Sequence, residues 1–293
     1  MEKQLIYQPE PADAVPLTCL TVDHDGKRAA CGTTEGPILL IDLEEGTVLK
    51  TLRGHEDIVS RVRFLKKGKY ILSSSWDGTT RRWSLKKDKK ESNILKHHTE
   101  VKSLAIADNE SKGAAGGRDG EVKVFSVEHM KCIRNMQTDD LNVSGLHFAD
   151  GDSQLLSVSW NGSCRIWDLK DYELLSTLRE DKKRIRCLGT TPDDAYVLLG
   201  FHTGDIRVFP VEDPSTSFAL EGHTDRITDF TLLPDNRMIS SSWDRTIRLW
   251  SLDREKEVNQ AKLWSAVSSV EWCPTCEQLF TTDFSGSLLA WTL

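Results

Sequence analysis

His55, Ser75 and Asp77 are the residue types of a nucleophilic triad, in which an imidazole activates a hydroxyl and a carboxylate orients the imidazole. The same set recurs as His223, Ser242 and Asp244, and each copy is followed by a tryptophan, Trp83 or Trp250. Duplication at equivalent places argues for a repeated structural role over a single catalytic centre. Cys273-Pro274-Thr275-Cys276 offers two thiolates at metal-ligand spacing, but zinc takes about four ligands, and no second CxxC or HxxxH accompanies the pair. Walker A, HExxH and helix-opening GxGxxG patterns are missing as well. The chemistry left over is that of recognition: Trp76, Trp160 and Trp243, together with a set of arginines, have no counterpart in a catalytic pattern.

The elements that hold these residues are repeats. SSSWDGTTRRWSL at 73–85, SVSWNGSCRIWDL at 157–169 and SSSWDRTIRLWSL at 240–252 are copies of one unit, and weaker copies fill the gaps. A bulky apolar marker near the end of each copy falls at Ile41, Trp83, Phe125, Trp167, Phe209, Trp250 and Trp291, in steps of 42, 42, 42, 42, 41 and 41 residues. The marker is preceded by alternating residues, as in Thr246-Ile247-Arg248-Leu249-Trp250, the period of a β-strand. Six or so residues earlier sits a turn such as Asp77-Gly78, Asp119-Gly120 or Asn161-Gly162, a hairpin signal because the turn needs positive φ. Asp244-Arg245 alone lacks the glycine. No long helix is expected.

These residues resemble the WD40-repeat family over essentially the whole chain. Gly54-His55 and Gly222-His223 match its GH dipeptide, and Trp167-Asp168 its WD dipeptide, with Trp83-Ser84 and Trp250-Ser251 as variants. The resemblance implies an all-β fold: a single domain spanning 1–293, built as a seven-bladed β-propeller of four-stranded blades. The last repeat ends after its third strand, so residues 4–8 are expected to supply the fourth and close the ring, which also covers an open edge. In the family, His, Ser, Asp and Trp at positions matching His55, Ser75, Asp77, Trp83 and His223, Ser242, Asp244, Trp250 form a buried hydrogen-bond network. The other blades depart from that set: His97 aligns with the histidine but Gly117 and Phe125 replace the serine and tryptophan, the fourth blade has Asp139, Ser159, Asn161 and Trp167, and the fifth has Asp181, Phe201, Thr203 and Phe209.

The resemblance also maps a partner-binding surface around the central channel. The residues before the turns are Thr34, Trp76, Arg118, Trp160, His202, Trp243 and Phe284, and the flanks of the innermost strands include Ile58, Glu100, Lys102, Arg184, Arg186 and Arg226. Aromatic and arginine side chains are the ones enriched in binding hot spots. Here they form a basic ring, with Glu100 its sole acid, on a chain of net charge −7. That pairing suits an acidic or phosphorylated peptide. It also suits RNA, whose bases stack on aromatic rings. The expected function is a non-catalytic scaffold or adaptor binding other proteins within a multi-subunit complex, with an RNA-binding or ribonucleoprotein role as the alternative.

No cofactor, metal or small-molecule substrate is expected. The absence of an 18-residue apolar run and of a signal-peptide core predicts no membrane insertion and no secretion. Seven cysteines without framework spacing point to a reduced, intracellular setting, cytoplasmic or nuclear. The run Lys86-Lys87-Asp88-Lys89-Lys90 reads as a solvated loop on the opposite face.

Overall fold

The computed structural model describes residues 1–293 apart from 11, 13, 87–91, 139–140 and 181. The described residues form seven antiparallel four-stranded sheets and, besides them, short helical turns such as the 3₁₀ turn Pro214–Thr216. Six blades take their strands in chain order, over 17–52, 59–96, 101–137, 143–180, 185–220 and 227–262. The seventh pairs Val267–Cys273, Gln278–Asp283 and Leu288–Thr292 with Glu2–Tyr7 on its outer edge, in a register that sets Glu2 opposite Thr292. The N-terminal closing strand is therefore present, and it begins two residues earlier than the sequence suggested.

Each innermost strand packs on the innermost strands of its neighbours, so the cores lie between blades. The repeat markers fill these boundaries. Trp83 is buried among Ile38, Leu40 and Leu52 of the preceding blade, and Trp250 sits likewise among Leu198, Ile206 and Val208. Blade 5 fills the same place with Phe209, and blade 1 with Ile41.

The hairpin turns between second and third strands all open on one face, called here the top. Gly36 shows why glycine is demanded there: its φ is +105°, and a Cβ would lie 2.2 Å from the His55 carbonyl. Arg245 takes the same left-handed conformation without glycine's freedom, at φ 70°.

Candidate functional site

The two His-Ser-Asp sets are structural ties, and the serines differ from those expected. His55 Nδ1 lies 2.7 Å from Asp77 Oδ2, and His55 Nε2 lies 2.7 Å from the Ser73 hydroxyl, not that of Ser75. Trp83 Nε1 donates to the same Ser73 oxygen at 2.8 Å. The second set repeats this with His223, Asp244, Ser240 and Trp250. The bonds form one relay: indole N–H to serine, serine O–H to Nε2, and Nδ1–H to carboxylate. Ser75 and Ser242 instead donate to the carbonyls of Asp57 and Asp225 and accept the N–H of Asp77 and Asp244. Residues two apart on a strand share a face, so the pattern could not say which serine reaches the histidine. The indole–hydroxyl bond extends to Trp167 with Ser157 and Trp291 with Thr281. In blade 4, Ser159 bonds Asn161 and Ser163 in place of the tryptophan; Asp139 and Asp181 lie outside the described residues.

This network carries a pH dependence. Burial lowers the pKa of His55 against the opposing pull of Asp77. Burial and then nearby Lys123 lower that of His97 to about 4. Burial alone would raise Asp77, yet hydrogen bonds from His55 and Thr79 bring it down to about 2. All three release protons on folding, so stability is full above the unfolded histidine value of 6.5 and falls as pH drops below it; Asp77 adds to the loss below 3.8. Glu271, raised to about 7 by burial, acts in the opposite sense over the same range, so the test is a difference: between pH 7.5 and 5, wild type should lose roughly 5 °C more melting temperature than His97→Gln. An equal or larger loss in His97→Gln would contradict the assignment.

The top of the channel opens as a funnel of about 420 Å³. Nine of the expected surface residues line it: Thr34, Ile58, Trp76, Lys102, Trp160, Arg186, Arg226, Trp243 and Phe284. The turn geometry aims them there. Each pre-turn residue donates its N–H to the carbonyl of the residue entering the innermost strand, as Trp76 does to Ile58 and Trp243 to Arg226.

The charges sit on the rings. Lys102 Nζ is 3.1 Å from the Trp76 centroid and the Arg226 guanidinium 3.5 Å from that of Trp243. Arg184 and Arg186 both approach Trp160, at 5.6 and 5.2 Å. Trp243 and Phe284 pack at 5.0 Å between centroids. Stacking occupies the face of a guanidinium and leaves its in-plane N–H groups pointing elsewhere. Arg186 Nε and Arg226 Nε are indeed buried without a hydrogen-bond partner among the described residues. Burial lowers Lys102 to about 8, and burial with the neighbouring Arg226 lowers Arg186 to about 10. Both shifts record cations short of compensating negative charge.

Four expected residues stand outside the funnel wall. Arg118 and Glu100 form an ion pair at 2.8 Å, which neutralises both. Arg184 reaches Trp160 from the rim, and exposed His202 donates its backbone N–H to the Arg184 carbonyl. Nor is Glu100 the only acid near the site. Asp57 acts on Lys102 and Asp225 on His202, both from the loops leading into innermost strands.

Sequence reasoning missed two apolar residues on this face. Trp264 is 91% exposed and Leu141 65%, the highest values among the large hydrophobic side chains. Trp264 lies between Leu263, bonded to the Arg245 carbonyl, and Ala266, which accepts from Phe284. Leu141 precedes Asn142, which bonds Arg118 and Trp160. The equivalent loop positions are mostly polar elsewhere (Glu56 and Thr224, or Asp57 and Asp225), so the apolar exceptions were a signal available in the repeat alignment.

Comparison with known proteins agrees with this geometry. The model of the WD domain, G-beta repeat, matches residues 46–84, 89–126, 130–168 and 214–251, more than half of the chain. The chain belongs to the WD40-repeat family. The unmatched stretches of this WD40 propeller include the blades whose markers are Ile41 and Phe209. Among curated relatives, the Periodic tryptophan protein 2 homolog of Neurospora crassa is 28% identical over 120 residues, and Periodic tryptophan protein 2 of Saccharomyces cerevisiae is 26% identical over the same length. Each match covers 41% of this chain and 13% of the relative. Jouberin of Rattus norvegicus is 37% identical over 68 residues, covering 22% of this chain and 6% of that protein. The WD40 propeller thus matches a small part of much longer proteins. Among the described residues no helix is long and apolar enough to cross a membrane.

Proposed function

We propose that this WD40 propeller is a non-catalytic intracellular scaffold that holds an acidic or phosphorylated segment of a partner protein in the top funnel, within a multi-subunit assembly. The supporting observation is the pair of buried, unpartnered guanidinium nitrogens on Arg186 and Arg226. A carboxylate or phosphate on a peptide supplies the charge-assisted acceptors they lack, and Trp76, Trp160 and Trp243 supply apolar walls around it. Exposed Trp264 and Leu141 extend the apolar contact beyond the funnel. The His-Ser-Asp sets are occupied in tying each blade's loops to its strands, so the reading requires no turnover.

The test is a pull-down from lysate, comparing the wild-type chain with Trp160→Ala/Arg184→Glu/Arg186→Glu, each with and without nuclease. Partner recovery should fall at least tenfold in the triple variant, resist nuclease, and leave the melting temperature within a few degrees. Partners retained by the folded variant would overturn the top-face reading. Partners released by nuclease would put RNA in the funnel instead, since the same rings and cations also suit stacked bases and phosphates.

A further inference from the structure

The face opposite the funnel carries the reverse chemistry. Two adjoining cavities, of about 570 and 280 Å³, open between blades 4 and 5 and share Ala149, Gly151, Thr190, Pro192 and Asp194. Together they make one groove running outward from His147 to Val211. Its floor is apolar, built from Leu156, Ile166, Val197 and Pro192, with Val211 at the mouth. Its walls hold Asp108, Asp150, Asp152, Asp193 and Asp194, and among the described residues no lysine or arginine lines it.

The local structure explains why the groove is open. The fourth strand of blade 5, Phe218–Leu220, has three residues and pairs only as far as Val208. The third strand's end therefore lacks a paired outer strand, with the turn Pro214–Thr216 beside it instead, and Val211 is left 40% exposed. Two of the carboxylates are fixed by interblade ties: Asp152 accepts the N–H groups of Asp108 and Asn109, and Asp194 accepts that of Asp150. These bonds orient the acids without neutralising them. His147 lies 3.8 Å from Asp194, and burial lowers its pKa, with Arg63 nearby acting in the same direction.

We infer that this groove is a second docking site, for a basic peptide segment that seats an aliphatic side chain on the apolar floor and sets flanking lysines or arginines against the aspartates. Charge complementarity selects this occupant. An acidic or neutral segment would leave the five aspartates without counter-charge, and a free cation would leave the apolar floor unused. The site is independent of the funnel and of whatever that face binds.

A random heptapeptide phage library panned on the full chain tests this, with enriched peptides then measured by fluorescence anisotropy against wild type and Gln154→Lys/Val211→Arg. Those two substitutions place cations at the groove without touching the interblade carboxylate ties. Clones carrying basic residues beside an aliphatic should be enriched. Their affinity should drop at least tenfold in the variant and weaken from 50 to 300 mM salt, while the Trp160/Arg184/Arg186 variant binds them as wild type does. Enrichment of acidic clones, or basic clones indifferent to Gln154→Lys/Val211→Arg, would overturn the inference. So would a concentration-dependent dimer in sedimentation that this variant abolishes, because the groove would then belong to a second copy of the chain.

Discussion

Trp83→Ala should lower the stability of the propeller by about 3–5 kcal/mol, a fall of roughly 10 °C in melting temperature. Two losses combine. The ring is fully buried between blades 1 and 2, so truncation opens a cavity that the flanking strands, held in their own ladders, cannot collapse to fill. The indole N–H also leaves the Ser73 hydroxyl. Trp250→Ala should behave alike through Ser240. Ser73→Ala isolates the polar part. It strips buried Trp83 Nε1 of its acceptor and His55 Nε2 of its donor at once, so a cost of about 1–3 kcal/mol is expected. Ser75→Ala should cost less, because it removes bonds only to backbone at the loop. Thermal melts of the four variants check this. A Ser75→Ala protein less stable than Ser73→Ala would show that the relay does not run through Ser73.

Arg186→Met should do the opposite, raising stability by about 1 kcal/mol, or roughly 2–4 °C, while cutting capture of the acidic partner at least tenfold. The guanidinium is partly buried beside Arg226, Arg61 and Arg184, with its Nε unpartnered. Methionine fills similar volume against Trp160 and removes both the desolvation and the repulsion. Groups kept at a cost to the fold are expected where binding needs them. Differential scanning fluorimetry and the pull-down, run on one preparation, read both effects. A lower melting temperature with capture intact would make Arg186 a structural residue.

The ring was legible in the chain because the markers from Ile41 to Trp291 keep near-constant spacing, and because hairpin glycines such as Gly78 and Gly120 announce the turns. The funnel residues followed once the register was known: Trp76, Trp160 and Trp243 occupy one repeat position, and nine expected side chains line one cavity. The errors arose where distance, not order, decides. Ser73 and Ser75 share a strand face, and only depth separates the one that touches His55. Arg118 and Glu100 cancel each other because the repeat sets each pre-turn residue against the residue entering the innermost strand, and in this blade alone that pair is an opposite-charge one. Asp57 and Asp225 entered the field of the site from loops outside the mapped positions. Trp264 and Leu141 break the repeat, and a reading that seeks agreement between copies passes over its exceptions. The acidic groove depends on a shortened strand, Phe218–Leu220, whose three residues carry no signal of their own.

Pairing Glu2 with Thr292 joins residues at the two extremes of the chain. Closing a loop of that length costs on the order of 5 kcal/mol in chain entropy, so six blades can assemble by local hairpins while the seventh waits for both ends to meet. Once it forms, the two termini lie side by side on neighbouring strands. A short linker could join them and a new opening be cut between any two blades, producing circular permutants that keep the ring and its two faces while moving the seam.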